Sequence, residues 1–132
     1  MGRYAGVRGW LECEHSEVPQ LREAIHAASA AGGPPESAAA RYLKGWVFPE
    51  TGFNWTAYVF YGGDVRCEFV DWLEAQVLAA ARSLPDVEGW FRVDVEDGES
   101  VWWEVCNGGI SVHPVEGGPG VPPRLRGRHE RE

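Results

Sequence analysis

The side chains of this 132-residue sequence that could do chemistry are four histidines, three cysteines and twenty carboxylates. His15, His26, His113 and His129 show no H-x-x-x-H spacing of the kind that binds a metal from one helix face. Cys13, Cys67 and Cys106 form no C-x-x-C pair, so neither a zinc knuckle nor a dithiol redox motif is present. Thiol–imidazole dyads can be drawn for Cys13 with His15 and for Cys106 with His113. A cysteine outside a motif is more commonly a small buried hydrophobe. Glu12, Asp94 and Glu104 fall on strands that could be neighbours, where carboxylates act as a general acid and base, a divalent-metal site, or a negative patch for a basic partner. No glycine-rich phosphate loop accompanies them. The expectation is a protein without catalytic residues, cofactor or metal.

The elements that must position these groups are legible from periodicity. Tyr4 to Cys13 alternates Ala5, Val7, Gly9, Leu11 and Cys13 with Tyr4, Gly6, Arg8, Trp10 and Glu12, a strand with one apolar face. Val18, Leu21, Ala24 or Ile25, and Ala28 form a helical stripe, with Ser16 as the expected cap and Gly32-Gly33-Pro34-Pro35 as its end. Glu36 to Leu43 reads either as a short helix or as a loop. Lys44 to Phe48 and Asn54 to Tyr61 are expected strands around the reversal at Pro49 to Gly52. Gly62-Gly63 then breaks the pattern, and Asp64 is placed to cap a second helix running to about Leu84, where Pro85 stops it. Its inner stripe is Phe69, Leu73, Val77, Ala80 or Ala81, and Leu84. Strands at Gly89 to Glu96, Val101 to Cys106 and Ile110 to His113 follow, joined by the hairpin signals Asp97-Gly98 and Asn107-Gly108.

This order predicts an α+β fold. Two helices pack on one face of an antiparallel sheet, in split β-α-β (ferredoxin-like) order with a C-terminal hairpin extension. A plain α+β meander with another strand order is the alternative. Residues 1–115 form the single domain, and 116–132, rich in Pro, Gly and Arg, read as a flexible tail. The helix-covered face takes Val7, Leu11, Phe91, Val93 and Val95. The opposite face takes Arg8, Trp10 and Glu12, then Trp90, Arg92, Asp94 and Glu96, then Trp102 and Glu104, or Trp103 if the register slips by one.

Large aromatics among carboxylates and arginines are unusual for a core and for a solvated surface, and protein interfaces concentrate binding energy in such mixtures. The competing explanation is that the tryptophans pack on one another or under a loop. Composition narrows the partner. The net charge is −8, and removing residues 116–132 leaves 8 basic and 17 acidic side chains, a charge of −9. Nucleic acid needs a basic footprint and is excluded as direct partner, whereas a basic protein fits. No apolar run approaches the ~18 residues of a membrane helix. The unpaired cysteines fit a reducing compartment, so a cytoplasmic location is expected.

Gly62-Gly63-Asp64-Val65-Arg66 is similar to the GGDEF signature of cyclic-dinucleotide synthases over its first three residues only. Tyr58 and Phe60 suggest an RNA-recognition sheet, but its glycine-flanked basic consensus is absent. A broader resemblance spans roughly residues 4–113. The strings Tyr4 to Glu12 (YAGVRGWLE), Gly45 to Pro49 (GWVFP), Trp55 to Asp64 (WTAYVFYGGD) and Val101 to Cys106 (VWWEVC) together resemble small acidic immunity proteins of bacterial polymorphic toxin systems. The resemblance implies a non-catalytic inhibitor, monomeric or weakly homodimeric, that binds a cognate basic toxin domain, often a nuclease. The residues expected to carry partner binding are Trp10, Trp90 and Trp102 as anchors, with Glu12, Arg92, Asp94 and Glu104 as charged partners. A small ligand-binding or regulatory ferredoxin-like module is the alternative function, and a weak hydrolase using Glu12, Asp94 and Glu104 is a third.

Overall fold

The structure is a computed structural model that describes residues 3–52 and 55–115. The tail expected at 116–132 and the expected strand start at Asn54 lie outside the described residues. Strand β1 (Tyr4–Glu14) is followed by α1 (Val18–Ser29), α2 (Glu36–Leu43), β2 (Trp46–Val47) and β3 (Thr56–Arg66). Then come α3 (Val70–Ser83), β4 (Glu88–Val95), β5 (Ser100–Cys106) and β6 (Gly109–Pro114). The strands form one open antiparallel sheet in the order β2-β3-β1-β4-β5-β6. The α+β expectation holds, with three helices among the described residues rather than two.

The core lies between the helices and one sheet face. Ala5, Val7 and Leu11 of β1, Val59 and Val65 of β3, Phe91 and Val93 of β4, and Trp103 and Val105 of β5 pack with Leu21 and Ile25 of α1 and with Leu73 and Val77 of α3. These are the positions that the period of two and the 3.6-residue stripes assign to the inside. Trp103 is therefore the inward residue of β5, and Trp102 and Glu104 face out. Gly9 permits the closest approach of β1 to β4, since a Cβ there would run into the Trp90 carbonyl and the Phe91 ring. Asn107 and Gly108, with φ of 53° and 76°, make the β5–β6 turn in the left-handed region, which asparagine tolerates and glycine, lacking a Cβ, adopts freely.

Two local expectations are corrected and one open alternative is decided. Glu36–Leu43, read as either a short helix or a loop, is a helix. Its alanines favour helix, Glu36 lies in the first turn and Arg41 in the last, as the helix dipole prefers. Gly62-Gly63-Asp64 does not cap a helix, because β3 continues through it to Arg66. β1 offers a full-length ladder, with Gly62 opposite Arg8 and Asp64 opposite Gly6, and Val65 is buried opposite Ala5. Satisfied backbone pairing outweighs the local turn preference of two glycines. The helix begins instead at Val70, after a 3₁₀ turn at Cys67–Phe69. Ser16 likewise caps nothing, for a 3₁₀ turn at His15–Glu17 precedes α1 and the Glu14 N–H donates to Glu17 Oε1 at 2.8 Å.

Candidate functional site

The face turned away from the helices is a grid of side chains set by strand register. Phe60, Trp10, Trp90 and Glu104 form one row across β3, β1, β4 and β5. Arg8, Arg92, Trp102 and His113 form the next, on β1, β4, β5 and β6. Asp94 stands one row further, between Gly6 and Ser100. On the other side of the tryptophan row, Tyr58, Glu12 and Glu88 lie abreast. None of these residues is covered by a helix, because each sits at the opposite parity to the core positions on its own strand.

Two sub-clusters divide this grid. In the first, Asp94 is the hub of a network within the sheet. Its Oδ2 lies 2.9 Å from Arg8 Nη1 and its Oδ1 3.0 Å from Arg92 Nε, while the Ser100 hydroxyl donates to Oδ1 at 2.5 Å. Burial alone would raise the Asp94 carboxyl. The hydrogen bonds from Ser100 and Arg92, the Arg92 charge and the Arg8 hydrogen bond outweigh it and hold the group below the usual carboxylate range. The Arg92 guanidinium also lies over Trp102, with Cζ 5.4 Å from the ring centroid.

In the second sub-cluster, Trp90 packs edge-on against Trp102 with centroids 6.1 Å apart, and His113 lies at 6.0 Å. His113 Nε2 is 2.9 Å from Glu104 Oε1. Glu12, Glu88 and Glu104 line one narrow slot of about 10 Å³ with Trp10, Trp90 and Cys106. That volume is about what one water occupies.

The expected site residues thus share a face, with different exposures. Trp10 and Trp102 are half-buried, while Trp90 is 3% exposed and Glu104 8%. Trp90 supports its neighbours more than it presents itself. Glu12 and Glu104 converge on the slot. Asp94 does not join them, being held by its two arginines.

Sequence reasoning missed Glu88, although it stands two residues before Trp90 and so shares its side of the strand. It also missed His113 as a partner of Glu104, and Tyr58 with Phe60 as part of the face. Those two rings stack at 6.2 Å and are 42% and 50% exposed. Their alternation with Ala57, Val59 and Tyr61 carries that signal.

The proposed dyad partner Cys13 is buried on the covered side. Burial, then Glu17, Glu12 and Glu14, push its thiol up to about 11, so it stays protonated at neutral pH, the reverse of what a thiolate nucleophile needs. His15 Nε2 is buried without a hydrogen-bond partner among the described residues, beside a cleft of about 400 Å³ lined by Ser16, Arg22 and Glu50.

Among the described residues no group of three or more His, Cys, Asp or Glu could hold a metal ion. No helix among them is long and apolar enough to cross a membrane. No family model, no curated protein and no solved structure matches the chain.

Proposed function

We propose that this chain is a non-catalytic cytoplasmic binding protein of the immunity type, which neutralises a basic toxin domain by tight stoichiometric association through its open sheet face. One observation carries the reading. Trp10 and Trp102 stand half-exposed on the face that no helix covers, bordered by Glu12, Glu88 and Glu104. Half-buried indoles on a rigid sheet lose little side-chain freedom on binding, and the carboxylates beside them select a cationic surface. The acidic charge of residues 1–115 would steer such a partner to the face before contact.

The ferredoxin-like reading of the fold belongs to the same proposal. In its favour, β3 lies between β2 and β1, β1 lies between β3 and β4, and α1 and α3 belong to the connections that cross between them. Helix α2 and the β5–β6 hairpin are then additions to that plan.

The decisive experiment is co-purification with the product of the adjacent upstream gene, followed by titration calorimetry. Stoichiometric binding is expected, weakened by about 2 kcal/mol or more on Trp102→Ala. A neighbour that does not bind, or binding indifferent to both Trp10→Ala and Trp102→Ala, rejects the reading.

A second reading, a small ligand-binding module, has one observation in its favour. An open cleft of about 510 Å³ is lined by Tyr4, Gly6, Asp64, Asp94, Val95 and Glu96, within the size range of ligand pockets. A metabolite that raises the melting temperature, and loses that effect on Asp64→Ala, would favour it.

A further inference from the structure

The outward face of β1, β4 and β5 gathers carboxylates and indoles, whereas the residues beyond Val115 hold four of the chain's twelve basic side chains, Arg124, Arg126, Arg128 and Arg131. We propose that the first occupant of this face is the chain's own arginine-bearing C-terminal segment, which a cationic partner must displace. This inference rests on the partner reading above and adds a regulatory step to it.

Three observations support it. The first is chemical. A guanidinium both stacks on aromatic rings and forks onto carboxylates, which an ammonium does less well. The face already shows that combination once, where Arg92 lies over Trp102 and pairs with Asp94. Trp10 and Glu12, both partly exposed on the same side of β1, offer an indole and a carboxylate together a second time.

The second is reach. The Val115 N–H donates to the Ser100 carbonyl at 3.1 Å, which fixes where the described chain ends, beside the β5 end of the face. Glu104 is four residues along β5, about 13 Å away at strand rise. Arg124 is nine residues beyond Val115, and nine residues span up to ~30 Å, so Trp102 and the row that Glu104 shares with Trp10 lie well within range.

The third is spacing and tethering. Arg124, Arg126 and Arg128 recur at every second position, the period that matches a pleated surface. A short tether gives the segment an effective concentration of about millimolar, enough for a modest intrinsic affinity to hold it in place.

The test uses the full chain and needs no partner. Indole N–H signals are recorded by ¹H–¹⁵N NMR for the natural sequence, for a variant with all four tail arginines replaced by alanine, and for one with all four replaced by lysine. Trp46 and Trp72, whose indoles donate to Gln76 Oε1 and to the Ser29 carbonyl, report that the fold is intact. The expected result is that the Trp10 and Trp102 signals shift in the alanine variant while those of Trp46 and Trp72 stay. The lysine variant should lie between the two. Salt at about 1 M, where screening acts within ~3 Å, should move the natural chain toward the alanine variant. Unchanged Trp10 and Trp102 signals in the alanine variant overturn the proposal. So do shifts that depend on protein concentration, which would mean that the segment docks on another copy. Since no partner is present, a negative result here leaves the partner reading standing, and a failed toxin titration leaves this result untouched.

Discussion

Trp102 and Trp103 are adjacent in the chain and lie on opposite sides of one sheet. Trp103 is buried with Phe91, Val105 and the helices, while Trp102 stands half-exposed between Arg92 and His113. The two sides handle polar groups differently. Toward the helices polar atoms are few, and Gln76 shows how they are satisfied: fully buried, it accepts from the Trp46 indole at 2.9 Å and donates to the Trp72 carbonyl at 3.4 Å. Away from the helices, charges are numerous and gathered around rings. The covered side holds the fold by removing apolar area from water. The open side holds charged and aromatic groups in positions fixed by strand register.

The sharpest way to break this contrast is truncation on each side. Phe91→Ala should cost about 3–5 kcal/mol in urea unfolding, as buried aromatic deletions do. Phe60→Ala, half-exposed on the other side, should stay within about 0.5 kcal/mol, as surface changes usually do. Similar costs for the two would show that the faces are not energetically distinct. Next, Gln76→Leu should destabilise by about 1–3 kcal/mol, because it leaves the Trp46 N–H buried without an acceptor. Adding Trp46→Phe should recover part of that loss.

A smaller effect tests the open side's own network. The Asp94 carboxyl is held below its usual range, against the effect of burial, by Ser100, Arg92 and Arg8. It therefore contributes stability that is present above the unfolded aspartate value of about 3.9 and is lost as pH falls through the lower folded value. Asp94→Asn should flatten that stretch of the acid-unfolding curve and cost about 1 kcal/mol or less near neutrality, since the side chain is still 31% exposed. An unchanged acid limb would remove Asp94 as the hub. Smallest of all, Cys13 should resist alkylation in the native protein at pH 7 and react only on unfolding, since its thiol is pushed up to about 11. Mass spectrometry of the labelled chain reads this directly.

Alternation made most of the sheet legible. The assignments of Val7, Leu11, Phe91 and Val93 inward, and of Trp10 and Arg92 outward, follow from a period of two that any strand imposes, whereas only the pairing with β4 decided between Trp102 and Trp103. The hairpin at Asn107-Gly108 follows from the same local chemistry. Local chemistry misled where a distant partner intervened. Gly62-Gly63-Asp64 reads as a break and a cap, yet β1 supplies a ladder that carries β3 four residues beyond Gly62. The slot was legible only in part, for Glu12 and Glu104 were in view while Glu88 lay just before the expected strand start.

The sequence alone determined which side chains share a face within each strand, because pleating is a property of the backbone and needs no neighbour. Only the tertiary structure decided which strands stand side by side, and hence that Glu12, Glu88 and Glu104 meet around Trp10 and Trp90 while Asp94 is drawn away by Arg8 and Arg92. Strand order and register depend on backbone pairing between residues distant in the chain, and no periodicity within one segment encodes them.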